Sequence, residues 1–369
     1  MKVPYLDLKA QYQTISSEIN AEIKRVLESG AFILSPDLEA LENEFAAYSG
    51  CEHAVGVNSG TSALHLALLA AGIKPGDEVL TVPMTFVATV AAIEYAHAIP
   101  RLVDIDPLYQ TIDIHKLPQA ITKKTKAIIP VHLHGQSCDM KPVLALAAQH
   151  GLTVIEDAAQ AHAASYQGKT LGTIGRLGCF SFYPGKNLGA YGEGGMVLCA
   201  GKEDADQIKL LRNWGSSRRY HHEQRGFNYR LDAIQSAILR VKLRHLSAWT
   251  QRRREIASLY SQSLKGAPLT LPSELPNSRH VYHVYAVRVK KRDQVAQMLS
   301  ERGIQNNSHY PIPVHLQNGY RDLGYQAGDF PESEKMANET LSLPIYPEMT
   351  DEQVRFVSEQ LKEILSKTA

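Results

Sequence analysis

One lysine, Lys186, sits in the run Ser181-Phe182-Tyr183-Pro184-Gly185-Lys186-Asn187-Leu188-Gly189-Ala190-Tyr191-Gly192-Glu193-Gly194-Gly195. Five glycines and a proline keep this run out of regular helix or strand. An aromatic-rich stretch precedes it and the apolar Met196-Val197-Leu198-Cys199 follows, so an irregular loop lies between buried-looking segments. Such a backbone holds its lysine still. An amine desolvated beside apolar or positive groups loses its proton near neutral pH and can form a Schiff base with a carbonyl. The same run would also serve as a Gly-rich turn with a solvated lysine. The rest of the chain has to decide.

Three other places could join it. His53 to Asn58 reads as a strand, and Ser59-Gly60-Thr61-Ser62 leads straight into the apolar helix Ala63 to Ala70. That arrangement aims unpaired N–H groups and the positive end of a helix dipole outward, which suits a phosphate. Plain helix capping by Ser and Thr is the competing reading. Leu152 to Asp157 is a strand ending in two carboxylates, Glu156 and Asp157, and Pro83-Met84-Thr85-Phe86 opens a further helix with an aromatic ring.

The elements that must position these groups alternate. Helices are expected over residues 8–29, after Ser35-Pro36, over 63–70, 87–96, 142–150 and 231–246, with strands over 53–58, 78–82, 101–105, 127–132 and 152–157. Alternation of this kind predicts an α/β fold with a mainly parallel central sheet flanked by helices, whose ligands bind at the carboxyl ends of the strands. Asp157, His132 and the turn after Asn58 would lie there. From about residue 247 the character changes: a long helix with Trp249 and Arg252-Arg253-Arg254, a proline-rich connector, one alternating strand, a helix, a short strand toward His309 and a terminal helix. We expect a large domain over residues 1–246 and a smaller α+β domain over 247–369.

Composition narrows the partners. The 369 residues carry a net charge of +1, with 44% hydrophobic and 21% charged residues. This describes a globular chain with no global pull toward nucleic acid or an anionic membrane. No run reaches the length of a membrane span and the first residues have no apolar leader core, so a cytoplasmic protein is expected. The four cysteines are widely spaced and no His-Glu-x-x-His motif occurs, which predicts neither disulfides nor a metal site. Between Arg212 and Arg230 the chain is basic and aromatic, including Arg218-Arg219-Tyr220, a charge pattern suited to a diphosphate or simply to a solvated loop.

A phosphate seat, an aromatic ring, a strand-end carboxylate and a held lysine together match the demands of pyridoxal phosphate. At these residues the chain resembles the DegT/DnrJ/EryC1/StrS sugar aminotransferases, of fold type I among pyridoxal phosphate enzymes. The matching segments are Asn58 to Leu64, Pro75 to Val79, Val131 to Gln136, Glu156 to His162, Pro184 to Gly189 and Asn228 to Asp232.

The resemblance implies roles. Lys186 would hold the cofactor as a Schiff base and then carry the proton between substrate carbon and cofactor. Asp157 would pair with the pyridine nitrogen, and Gln160, placed one helical turn later, with the 3′-oxygen. Gly60, Thr61, Ser62 and Ser181 would hold the phosphate, with Asn228 reaching it from the other subunit of a homodimer, and Phe86 would stack on the ring. Tyr183, Arg219, Tyr220, His309 and Tyr310 are the expected substrate contacts. Tyr229 departs from the small residue usual in the family, and Lys186 departs from the histidine of its dehydratase branch. The implied reaction moves an amino group from L-glutamate to a keto-deoxyhexose linked to dTDP or UDP, at carbon 3 rather than carbon 4. An aminotransferase acting at carbon 4, a pyridoxal phosphate dehydratase or lyase, and a non-catalytic regulator on the same fold are the alternatives.

Overall fold

The computed structural model describes residues 1–368. Helix α1 (Leu8–Ser29) is capped by Asp7, which accepts from Ala10 N–H at 2.8 Å. Ser35 caps α2 (Pro36–Ser49), with Pro36 in the first turn where its missing N–H costs nothing. These caps are local, and the helices begin where the sequence predicts.

Seven strands form the main sheet: β1 (His53–Val57), β2 (Glu78–Thr81), β3 (Ile99–Leu102), β4 (Thr125–Ile128), β5 (Thr153–Asp157), β6 (Leu177–Ser181) and β7 (Gly195–Cys199). Their order is β1-β7-β6-β5-β4-β2-β3. β7 runs antiparallel to β1 and β6, and the pairs β6/β5, β5/β4, β4/β2 and β2/β3 are parallel. The expected mainly parallel α/β sheet is therefore present.

Successive side chains point to opposite faces of a strand. Leu80, Ile128, Val154, Phe180 and Met196 accordingly pack into one core, with α2, α5 (Met140–His150) and part of α7 (Ala233–Ser263). Val79, Ala127, Ile155, Cys179 and Val197 pack into the other, under α3 (Gly60–Ala70), α4 (Ala88–Tyr95) and α6 (Lys202–Arg212). Both faces are covered, so the sheet is rigid and its carboxyl edge is free to carry loops.

A second core gathers the antiparallel pair β8 (Tyr285–Arg288) and β9 (Thr340–Leu343), α8 (Arg292–Glu301), α10 (Asp351–Thr368) and Ile256, Ala257 and Tyr260 of α7. α9 (Pro331–Glu339) precedes β9. The expected boundary at 246/247 falls inside α7, which runs unbroken through both cores. Val3 bridges Ile304 and belongs to the second core as well. The second unit thus takes residues from both ends of the chain. The strand expected toward His309 is only a bridge from Asn307 to Ser342.

Candidate active site

The carboxyl ends of β1, β5 and β6 open into a cleft of about 670 Å³ whose opposite wall comes from the second unit. Asp157 ends β5. Alternation along that strand separates it from Glu156, and the two carboxylates do different work. Glu156 is buried, accepting backbone N–H bonds from Gly172, Ile174 and Gly175 at 2.7–2.8 Å. His132 Nδ1 accepts Cys138 N–H, so its Nε2 carries the hydrogen and donates to Glu156 at 2.9 Å. This cluster staples loops together. Asp157 faces the cleft, with Thr89 Oγ1 donating to one oxygen at 2.8 Å and Ala159 N–H to the other at 3.1 Å. Burial raises its pKa above the usual aspartate value. Thr85, 2.8 Å from the Thr89 hydroxyl, completes the support.

Lys186 borders the same cleft from the loop between β6 and β7. Burial pushes its ammonium down to about 8, against the pull of Asp157. The loop is fastened on three sides. Lys186 N–H donates to Tyr183 O at 2.8 Å and Ala190 N–H to Phe182 O at 2.8 Å. From α7, the buried Lys242 donates to Gly189 O and lies 4.8 Å over the Tyr191 ring, while Gln235 accepts Tyr191 N–H at 2.9 Å. From the segment that follows α7, Val281 O accepts from Asn187 at 3.2 Å, and His283 lies 3.3 Å from the Asn187 amide oxygen. A Cβ on Gly189 would fall 2.4 Å from Pro184 O, so only glycine fits. The loop is therefore held in place, with Lys186 half-buried at the cleft.

At the other end of the cleft floor, α3 starts with its first turn turned toward Ser181. Ser59 caps the helix by accepting Ser62 N–H at 3.0 Å. Among the described residues no protein acceptor takes the N–H of Gly60 or Thr61. A Cβ on Gly60 would lie 2.6 Å from Ser181 Cβ, so the close approach of these two cleft residues requires glycine. Ser62 differs from the expectation. It is buried, outside the cleft lining, and its hydroxyl donates to Asn58 Oδ1 at 2.6 Å. The capping network claims that hydroxyl first.

Gln160 does not sit on a helix as expected. Residues 158–161 form a tight turn closed by Ala161 N–H to Ala158 O at 2.8 Å. The turn still brings Gln160 into the cleft, accepting His134 N–H at 2.6 Å and donating to Tyr310 Oη at 2.9 Å. Phe86, 55% exposed, and Tyr183, 56% exposed, stand at the cleft's rim. Phe86 lies 5.8 Å from Tyr310. His309 also lines the cleft, bonded to Ser342 at 2.9 Å and stacked on Tyr5 at 5.9 Å. Burial, with Lys186 nearby, pushes its pKa down to about 4.

Arg219, Tyr220 and Asn228 are not in this cleft. Arg219 lies over the Tyr220 ring at 5.0 Å, and Tyr220 is 78% exposed. Asn228 is exposed on a segment hydrogen-bonded to Asn58, and Tyr229 stacks on Phe227 at 5.0 Å. Sequence reasoning missed Thr85, Thr89, Lys242, Arg253 and His283. The one readable signal was Thr85 and Thr89, a polar i, i+4 pair at the start of an otherwise apolar helix.

The chain is similar to known proteins along nearly its whole length. It is 46% identical over 366 residues to a pleiotropic regulatory protein of Geobacillus stearothermophilus, covering 98% of each chain. It is 44% identical over 363 residues to dTDP-3-amino-3,4,6-trideoxy-alpha-D-glucose transaminase of Streptomyces venezuelae, covering 98% of this chain and 96% of that one. The fold superposes on the crystal structure of S. venezuelae DesV in complex with a ketimine intermediate, with a TM-score of 0.97, 44% identity and coverage of 99% and 98%. It also matches NtdA from Bacillus subtilis with bound cofactor PMP, with a TM-score of 0.92, 32% identity and coverage of 99% and 85%. The model of the DegT/DnrJ/EryC1/StrS aminotransferase family matches residues 13–362, and with a lysine, a carboxylate and a helix N-terminus meeting in one cleft, the chain belongs to that family.

Proposed function

We propose that the protein is a pyridoxal-phosphate-dependent aminotransferase that moves the amino group of L-glutamate to carbon 3 of a keto-deoxyhexose linked to dTDP or UDP. The observation that carries this reading is the meeting of Lys186, Asp157 and the unpaired N–H groups of Gly60 and Thr61 in one cleft. Those residues fit the cofactor: an amine of lowered pKa for an aldehyde, a buried carboxylate for a pyridinium, and a bare helix start for a phosphate. Pyridoxal phosphate, when bound, supplies an electron sink for carbanion chemistry.

The protein's residues do the rest. Gly60, Thr61 and Ser181 would hold the phosphate, and Asp157, oriented by Thr89, would keep a proton on the ring nitrogen. Gln160 would offer its remaining amide hydrogen to the 3′-oxygen, and Phe86 would lie against the ring. Lys186 Nζ would hold the cofactor's aldehyde and, once freed, would serve as the base that moves the proton at the donor's α-carbon and, in reverse, at the keto carbon of the sugar. A neutral amine is needed for this, and desolvation provides it near pH 8.

Arg219, Tyr220 and Asn228 are exposed and outside the cleft of their own chain. We assign them to the cleft of a second copy in a homodimer, where Asn228 would reach the cofactor phosphate and Arg219 and Tyr220 would meet the diphosphate and the sugar beside Tyr183, His309 and Tyr310. The transaminase name of the S. venezuelae relative supports the carbon 3 assignment.

The test is an absorption spectrum of the protein with pyridoxal phosphate, before and after L-glutamate. A visible band of lysine-bound cofactor that gives way to the aminated form is expected. A panel of dTDP- and UDP-linked keto-sugars then identifies the acceptor, with the aminated carbon located by NMR. A band that ignores glutamate would overturn the donor, and failure to form a band would move the weight to a regulator.

A further inference from the structure

The three arginines of the run Arg252-Arg253-Arg254 have different fates. Arg252 pairs with Asp351 at 2.7 Å, and Arg254 pairs with Glu274 at 2.8 Å. Arg253 has no carboxylate within ion-pair distance among the described residues. It is 3% exposed and borders the cleft that holds Lys186. Its Nη1 donates to two backbone carbonyls, Tyr282 O at 3.2 Å and Ile345 O at 3.0 Å. Nε and Nη2 have no protein acceptor among the described residues. Glu348 attracts it across space without an ion pair. His283 feels positive charge from both Lys186 and Arg253, which places the guanidinium within electrostatic reach of the catalytic amine's surroundings.

A buried charge without a partner is costly, and proteins keep one where a ligand completes it. We infer that Arg253 is the anchor for a carboxylate of the amino-acid donor, the guanidinium being fixed through Nη1 and presenting its free nitrogens to the cleft. The inference rests on the aminotransferase reading above. A carboxylate is small, planar and singly charged, and it matches the arginine fork. The diphosphate of a nucleotide sugar, the other anion this enzyme would meet, is bulky and tied to a nucleoside, and it suits the exposed rim at Phe86 and Tyr183 better than a site this deep.

The experiment uses holoenzyme reconstituted with pyridoxal phosphate, as wild type, Arg253→Gln and Arg253→Lys. Single-turnover conversion by L-glutamate should need about 100-fold more donor in Arg253→Gln, the order expected for losing a charged hydrogen-bonded pair. Conversion of the aminated enzyme by keto-sugar should keep its concentration dependence. Arg253→Lys, which retains a donor for the two carbonyls, should lie between. Calorimetric titration with glutarate, which has both carboxylates and no amine, should show binding to wild type and little to Arg253→Gln. Unchanged donor dependence, or a change confined to the sugar half-reaction, overturns the inference. Should the variants fail to fold, wild type alone decides: the dimethyl ester of L-glutamate, neutral at both ends, should be a far poorer donor, and equal use overturns the anchor. If wild type ignores L-glutamate altogether, the donor reading has failed, while glutarate binding still reports on Arg253.

Discussion

The floor of the cleft and the excursion from Trp214 to Arg230 differ in how their functional side chains are held. Asp157 is fixed by Thr89 and Ala159, and the Lys186 loop by α7 on one side and Val281 and His283 on the other. Arg219 and Tyr220 touch mainly each other and lie open to solvent. Proton transfer demands fixed geometry, so the residues proposed for it are clamped within one chain. Arg219 and Tyr220, proposed for recognition, face outward and await another surface.

The comparison can be broken at its strongest point first. Lys186→Ala should leave no turnover above background and no visible band of lysine-bound cofactor, with an unchanged circular dichroism spectrum; retained turnover would sink the assignment. Asp157→Asn should cost roughly 10²–10⁴-fold in kcat, the range for a positioned proton partner, and a loss below tenfold would show that another group serves the ring.

Lys242→Met tests the clamp rather than the chemistry. It removes the donor to Gly189 O and should lower stability by about 1–3 kcal/mol, seen as a lower Tm, with turnover reduced but not abolished. An unchanged Tm would mean the loop stands without α7. On the open side, Lys186→Ala protein mixed with Asn228→Ala protein should recover activity severalfold above the mean of the two parents; no recovery despite proven subunit exchange counts against a shared site. The smallest effect is with pH. Because the Lys186 amine has a pKa of about 8 and reacts only when neutral, the rate of cofactor capture should climb with pH through about 8 and then level off. A rate still climbing well beyond that would describe a solvated amine.

Much of this was legible before any coordinates. Strand-end position put Asp157 and the 58–61 turn on one edge, because parallel strands share their carboxyl ends. The glycines and proline around Lys186 marked an irregular loop that holds its lysine. Where the structure departs from these expectations, the causes are physical. Gln160 was placed by helical spacing, but the chain after β5 makes a tight turn. Ser62 was given to a phosphate, but its hydroxyl satisfies the helix cap. The expected division at 246/247 falls within the long α7, which continues through it without a break.

The sequence by itself determined the elements, the two-faced sheet and the chemistry-bearing types at its edge, since caps, periodicity and strand alternation act over a few residues. Only the tertiary structure decided which of three consecutive arginines is left without a carboxylate. It also decided that Lys242 would hold the lysine loop, and that Thr89 would support Asp157 from 68 residues away. Those outcomes depend on contacts between distant segments, and no local pattern encodes them.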